Sequence, residues 1–185
     1  MRTPSRGRLR EGACTLTRMS TPAHTPSHLP SVAPGEFRDA LALWASGVTI
    51  ITARADDEPI GMTAASFSSL SLDPPLVLVC IARSAHSHEP LVTAPGFAVH
   101  VLGHGQEDMS ARFARAGADK FADFDDERGP FEVPLLPFGV ARLVCAHHAA
   151  LDGGDHTILV GRVLTVDLAG TDPLVYFNRE YRRLA

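Results

Sequence analysis

What most limits the fold of this chain is a pair of long strand-like runs, 140–151 and 157–168, on either side of Asp152-Gly153-Gly154-Asp155. Two such runs joined by a short Asp/Gly segment form an antiparallel hairpin, because Gly and Asp tolerate the positive φ that tight turns need. A hairpin this long needs a sizeable antiparallel sheet to bury one of its faces. Other segments supply the strands. Residues 48–53 are β-branched and read as one, residues 60–67 as another, with Asp56-Asp57-Glu58-Pro59 as the turn between them. Residues 76–82 are almost wholly apolar, as in a strand buried on both faces. Leu72-Asp73-Pro74-Pro75 is the loop entering it, since proline cannot donate to a ladder. Residues 97–102 and 173–177 complete the set.

Helices are few. Phe37, Ala40, Leu41 and Trp44 fall at i, i+3, i+4 and i+7, one face of a helix beginning near Gly35, and Gly47 sits where it would stop. Residues 107–116 read as a second helix, with Met109 and Phe113 on one face and Gly117 ending it; 123–128 is an acidic loop. About six to seven strands without regularly alternating helices argue against a doubly wound α/β sheet. The expected fold is mainly β: an antiparallel barrel with a few peripheral helices.

At 185 residues the chain suits one domain with a tail. Residues 1–34 lack any helix or strand period and are rich in Thr, Pro, Ser and Arg. They are expected to be a disordered tail, with 35–185 as the folded domain, and Met19 offers a second start. Arg2, Arg6, Arg8 and Arg10 have no apolar run behind them, so no secretory signal is expected. No run approaches the ~20 apolar residues of a membrane span, so no membrane partner is expected. A net charge of −4 argues against a nucleic-acid partner. The cysteines Cys14, Cys80 and Cys145 are odd in number and contain no C-x-x-C pair. Neither a disulfide framework nor a cysteine-built zinc site is expected, and a reducing cytoplasm fits. Cys80, inside the apolar run 76–81, reads as a small buried hydrophobe.

The chain has no G-x-G-x-x-G after a strand, no P-loop, no H-E-x-x-H and no G-x-S-x-G. Its densest polar cluster runs from Gly61 to Ser71, where hydroxyls and small residues would let a ligand lie close to the backbone. A Ser-rich strand edge with locally satisfied hydroxyls has the same composition. Arg83-Ser84-Ala85-His86-Ser87-His88 suits an anion such as phosphate, or is a solvated loop. Asp152 to His156, preceded by His147 and His148, offers carboxylates and imidazoles. Strand alternation places His147 and His148 on opposite faces, so no metal site is expected. A hairpin turn carrying one functional histidine is the preferred reading.

Taken in order, several segments resemble the flavin reductase family of two-component monooxygenases. They are Phe37-Arg38-Asp39-Ala40, Ser46-Gly47-Val48-Thr49-Ile50-Ile51-Thr52, GMTAASFSSLSLDPPLVLVCIARSAHS, residues 97–102, Arg112-Phe113-Ala114, Asp119-Lys120-Phe121, Gly153-Gly154-Asp155-His156 and residues 173–177. The resemblance runs from about Phe37 to Leu184. Cys80-Ile81-Ala82-Arg83 and Ala118-Asp119-Lys120-Phe121-Ala122 look most like the reductases of aromatic polyketide tailoring, of the actinorhodin type.

The resemblance implies an FMN-binding split barrel, usually a homodimer. It implies reduction of FMN (or FAD) by NADH or NADPH, with free reduced flavin passing to a partner monooxygenase. It also implies site residues. Thr63, Ala64, Ala65, Ser66, Phe67, Ser68 and Ser69 would line the isoalloxazine and ribityl chain, with Ser46, Gly47 and Val48 nearby. Ala82 and Phe121 belong to the same flavin set, and Ser84, Ser87 and Lys120 would meet the phosphate. His156 would be catalytic at the nicotinamide side, beside Asp155, with Arg179 and Tyr181 closing over the ligand. The rival expectations are a split barrel that holds FMN tightly and acts on another substrate, and a non-enzymatic flavin carrier.

Overall fold

The computed structural model describes residues 29–117 and 119–184. Most of the expected tail therefore lies outside the described residues, while Pro34 already opens a helix. The described residues form ten strands, in chain order β1 (Ser46–Gly47), β2 (Thr49–Ala55), β3 (Glu58–Ala64), β4 (Ser68–Leu72), β5 (Pro75–Ala82), β6 (Gly96–Val101), β7 (Ala141–Gly153), β8 (His156–Leu168), β9 (Val175–Phe177) and β10 (Glu180–Arg182). Seven of them form one antiparallel sheet in the order β3-β2-β6-β7-β8-β5-β4. The other three form a small antiparallel sheet, β1-β9-β10. The expected mainly β, antiparallel architecture is what the chain adopts.

The long hairpin is β7–β8, closed by the pair Gly153–His156 with Gly154 at φ +78° in the turn. Only glycine takes that conformation without steric cost. The register of β7 on β8 shifts at Val144/Cys145 and again at His147/Ala149. Such irregularities bend and twist a hairpin, which lets the sheet curl. The curled sheet encloses Ile51, Val77, Val79, Ile81, Phe97, Val99 and Leu159, all at most 5% exposed.

Two strands differ from expectation. In β5 the burial alternates: Val77, Val79 and Ile81 are buried, while Leu76, Leu78 and Cys80 are half-buried. Cys80 is thus not the buried thiol; Cys145 is, and burial pushes its pKa up to about 12. The strand covered on both faces is β2. Ile51 and Ala53 point into the barrel, while Val48, just before the strand, and Ile50 pack outside it on Leu102, Phe113, Leu136 and Leu174. His100 on β6 pins this outer layer. Its Nδ1 bonds to the Ile50 carbonyl at 3.2 Å and its Nε2 accepts from the Leu136 N–H at 3.0 Å.

Among the described residues, three α-helices flank the sheets: α1 (Pro34–Ala42), α2 (His88–Thr93) and α3 (Glu107–Ala114). The Glu36 carboxylate accepts the Ala33 N–H at 3.1 Å and Pro34 sits in the first turn, a favourable helix start. Helix α1 stops at Ala42 and Gly47 lies in β1, so Gly47 does not end the helix. The apolar stripe of this region is uncovered: Phe37, Leu41 and Trp44 are 56%, 52% and 74% exposed. None of the helices among the described residues is long and apolar enough to cross a membrane.

Candidate functional site

A cavity of about 550 Å³ opens between β3, the loop after β5 and the segment 113–121. It brings together Thr63, Ser84, Ser87, Lys120 and Phe121, which come from three separate stretches of chain. Gly61 and Phe113 form part of its wall. A Cβ on Gly61 would lie 2.6 Å from the Phe113 ring and 3.1 Å from Phe121, so only glycine leaves this wall open. The two phenyl rings meet edge to face at 5.2 Å.

Lys120 and Arg115 both line the cavity, and Lys120 is tied to its wall. Its Nζ donates to the carbonyls of Gly61 and Phe113, 2.9 Å each, which leaves one of its three donors. Burial lowers its pKa from the usual lysine value. Thr63 Oγ1 donates to the Ser110 carbonyl at 2.6 Å. Ser87 Oγ lies 3.4 Å from Met62 Sδ, a weak contact that leaves its oxygen open to other donors.

Arg83 does not join this anion set. Its Nε donates to the Gly154 carbonyl at 3.0 Å and its Nη2 to Asp152 Oδ1 at 2.7 Å. Its backbone N–H also donates to the Asp155 carbonyl at 2.9 Å. The Arg83 loop and the β7–β8 turn are therefore one joined piece. That turn presents His156, whose ring is 41% exposed and whose Nδ1 lies 2.7 Å from Asp155 Oδ1. The His156 hydrogen bond holds the Asp155 carboxyl below its usual pKa, with the His156 charge adding to the effect. An ionised carboxylate only accepts, so Nδ1 carries the proton. Ala82 pairs with His156 across β5 and β8.

The remaining expected residues are not on the wall of this cavity. The Ala64 carbonyl accepts Thr49 Oγ1 at 2.7 Å. Ser66 continues the β4–β5 register with its side chain: Oγ donates to the Cys80 carbonyl at 2.9 Å and accepts the Cys80 N–H at 3.1 Å. With that hydroxyl engaged, what Ala65, Ser66 and Phe67 chiefly offer a ligand is backbone. Phe67 packs on the barrel core. Ser68 and Ser69 are exposed on the edge strand β4. Val48 is buried, and Ser46 and Gly47 pair with Tyr176 and Val175. At the other end of the chain, Arg179 forms an ion pair with Asp39, and the Tyr181 hydroxyl donates to Ser110 Oγ at 2.9 Å.

Several wall or support residues escaped the sequence reading as site residues, among them Phe113, Arg115 and Ser110, and Gly61 entered it only as one end of the polar cluster 61–71. An isolated glycine inside a strand pattern is a signal for close approach, and Gly61 carried it. Phe113 looked like an ordinary helix face. Ser110 carried no local signal, since its partners lie 47 and 71 residues away.

Residues 41–185 match the family model described as the flavin reductase like domain. The chain is 45% identical over 149 residues to the FMN reductase (NADH) of Agrobacterium fabrum, covering 80% of this chain and 85% of that protein. It is 43% identical to the reductase component of the Thermus thermophilus 4-hydroxyphenylacetate 3-monooxygenase, with 80% and 95% covered. Other relatives are longer: the chain spans 48% of a probable flavin reductase of Rhizobium meliloti, at 41% identity. Among solved structures, the Streptomyces globisporus NADH:FAD oxidoreductase, seen in complex with NAD and FAD fragments, superposes with a TM-score of 0.77. It is 38% identical, with 85% of this chain and 98% of that one covered.

Proposed function

This chain belongs to the flavin reductase like family, and on that premise we propose that the cavity walled by Gly61, Thr63 and Lys120 is where it takes up flavin. It is an NAD(P)H:flavin oxidoreductase that supplies reduced flavin to a partner monooxygenase. The observation that carries the site is the convergence of Thr63, Ser84, Ser87, Lys120 and Phe121 on one cavity. The fit to a flavin is chemical as well as spatial. A volume of about 550 Å³ lies within the range of small-ligand sites. The wall pairs two phenyl rings with a glycine that has no Cβ, which suits a flat ring system. A desolvated ammonium beside two serines suits a phosphate.

When bound, flavin supplies the hydride acceptor; the protein contributes binding and orientation. Ser84, Ser87 and the spare Lys120 donor hold the phosphate end. The backbone of 64–69, with Ser46, Gly47 and Val48 beside it, meets the polar edge of the ring, where N–H groups stabilise developing negative charge. His156, with its tautomer set by Asp155, orients the nicotinamide. FMN is the flavin and NADH the reductant, as in the name of the Agrobacterium relative. Flavin binding is moderate, since reduced flavin must leave in each cycle, and the purified protein is pale. The exposed stripe of Phe37, Leu41 and Trp44 is covered by a second copy of the chain, making a homodimer. The unpaired thiols Cys80 and Cys145 suit the cytoplasm.

The test is NADH oxidation in air with and without added FMN. Fast oxidation that saturates with FMN supports the reading. No oxidation with FMN, FAD or riboflavin, with NADPH tried as well, ends it.

A further inference from the structure

We propose that Ser110 and Tyr181 are positioning residues that fix which hydrogen-bonding face Thr63 turns to the cavity, and so couple the C-terminal hairpin to flavin affinity. The proposal rests on the reading of the cavity as the flavin site. Thr63 lines the cavity, yet its one hydroxyl proton goes to the Ser110 carbonyl. Toward the cavity Thr63 therefore offers lone pairs alone. It accepts from a ligand and does not donate, so it favours an N–H of the ring or a hydroxyl of the polyol chain over a carbonyl oxygen.

Ser110 is held from behind. It is fully buried in α3, and its Oγ accepts from the Tyr181 hydroxyl. Tyr181 stands on β10 opposite Tyr176 of β9, with the two rings 5.6 Å apart at 63°. Tyr176 in turn pairs with Ser46 of β1. The β9–β10 hairpin thus reaches the site region by two routes: a ladder to Ser46, and Ser110 itself, whose Oγ takes the Tyr181 hydroxyl while its main-chain carbonyl takes the Thr63 hydroxyl. The hairpin is itself anchored on α1, through the Arg179–Asp39 ion pair and an Asn178 N–H to Ala42 carbonyl bond of 2.7 Å. Neither Ser110 nor Tyr181 lines the cavity. Their effect on a ligand passes through Thr63, which separates this role from direct contact.

The experiment is a double-mutant cycle read as the dissociation constant of oxidised FMN, from flavin fluorescence, beside the kinetics of NADH oxidation. Tyr181→Phe removes only the hydroxyl. It should weaken FMN binding about five-fold, the loss of roughly one hydrogen bond. Ser110→Ala should do the same, and the pair together no more than either alone. In a Thr63→Val background Tyr181→Phe should have no further effect. Equal weakening by Tyr181→Phe in both backgrounds overturns the proposal. So does unchanged FMN affinity with a lower melting temperature, which is a purely structural role. A wild type that binds FMN with this coupling but never oxidises NADH leaves the proposal standing and refutes the reductase reading. A wild type that binds no FMN refutes both.

Discussion

Arg83 and Asp152 bridge the β7–β8 turn, with Nη2 2.7 Å from Oδ1, while the same guanidinium holds the Gly154 carbonyl. The pair is half to fully exposed, so its direct worth to stability is below about 1 kcal/mol. Its value lies in holding the turn that presents His156. Arg83→Ala should raise the KM for NADH several-fold, move kcat less, and leave the melting temperature nearly unchanged. Arg83→Lys, which cannot span both acceptors with a planar fork, should recover little. Steady-state kinetics with NADH as the varied substrate decide it; a wild-type KM in Arg83→Ala would show the turn holds itself.

The His156–Asp155 pair makes a separate claim. His156→Ala should raise the KM for NADH and lower turnover, and Asp155→Asn should do so more mildly by releasing the tautomer. Full turnover with unchanged KM in His156→Ala would remove His156 from the mechanism.

Gly61 is a packing test of the cavity. Its substitution by alanine drives a methyl into the Phe113 ring. The ring must yield, at a cost of about 1–3 kcal/mol in stability. Flavin affinity should fall at least ten-fold. Thermal melts and fluorescence titration with FMN read the two effects separately, and wild-type affinity in Gly61→Ala would place the flavin elsewhere.

His100 sets an acid limit. Burial holds its pKa at about 4 against an ordinary 6.5, with the nearby Arg142 charge adding to the depression and the Ile50 carbonyl bond opposing it. Between those values the unfolded chain binds a proton that the folded chain refuses. Stability from this residue is therefore complete above pH 6.5, declines as pH falls towards 4 and is flat below, by about 3 kcal/mol in all. Protonation would also cost the Leu136 N–H its acceptor. Urea unfolding at a series of pH values should show this slope in the wild type and not in His100→Gln.

The α1 stripe tests the homodimer. Replacing Leu41 and Trp44 with serine should leave the barrel folded, because neither belongs to its core clusters. Sedimentation velocity should shift from dimer to monomer; a wild type that is already monomeric at micromolar concentration rejects the proposal.

What could be read from the chain was what depends on local period. The β7–β8 hairpin announced itself through Gly154 and the runs around it, and α3 through Met109 and Phe113. Strand β4 went unseen because Ser68–Leu72 is polar and exposed, so an edge strand looks like a serine-rich loop. Helix α2 was hidden by Pro90, which the first turn tolerates because its N–H needs no partner there. The apolar run of β5 did not reveal that only alternate residues are covered, whereas β2 owes its double burial to α3 and to residues 133–136, elements remote in sequence. The site divides the same way. The Thr63 and Ser84–Lys120 candidates came from residue type and resemblance. Arg83's use as a clasp and Ser110's support of Thr63 came from pairings that no spacing encodes.

Among the described residues, strand β1 pairs only with β9, through Ser46–Tyr176 and Gly47–Val175. A chain emerging from the ribosome makes Ser46 some 130 residues before Tyr176. Most of the large sheet can assemble as it appears, because its strands are all in hand by Leu168. Ser46 and Gly47 must wait until Val175 and Tyr176 have been made. The first strand among the described residues is thus completed only by residues made about 130 positions later, and a product truncated shortly after Leu168 would keep its barrel strands and lack a finished β1.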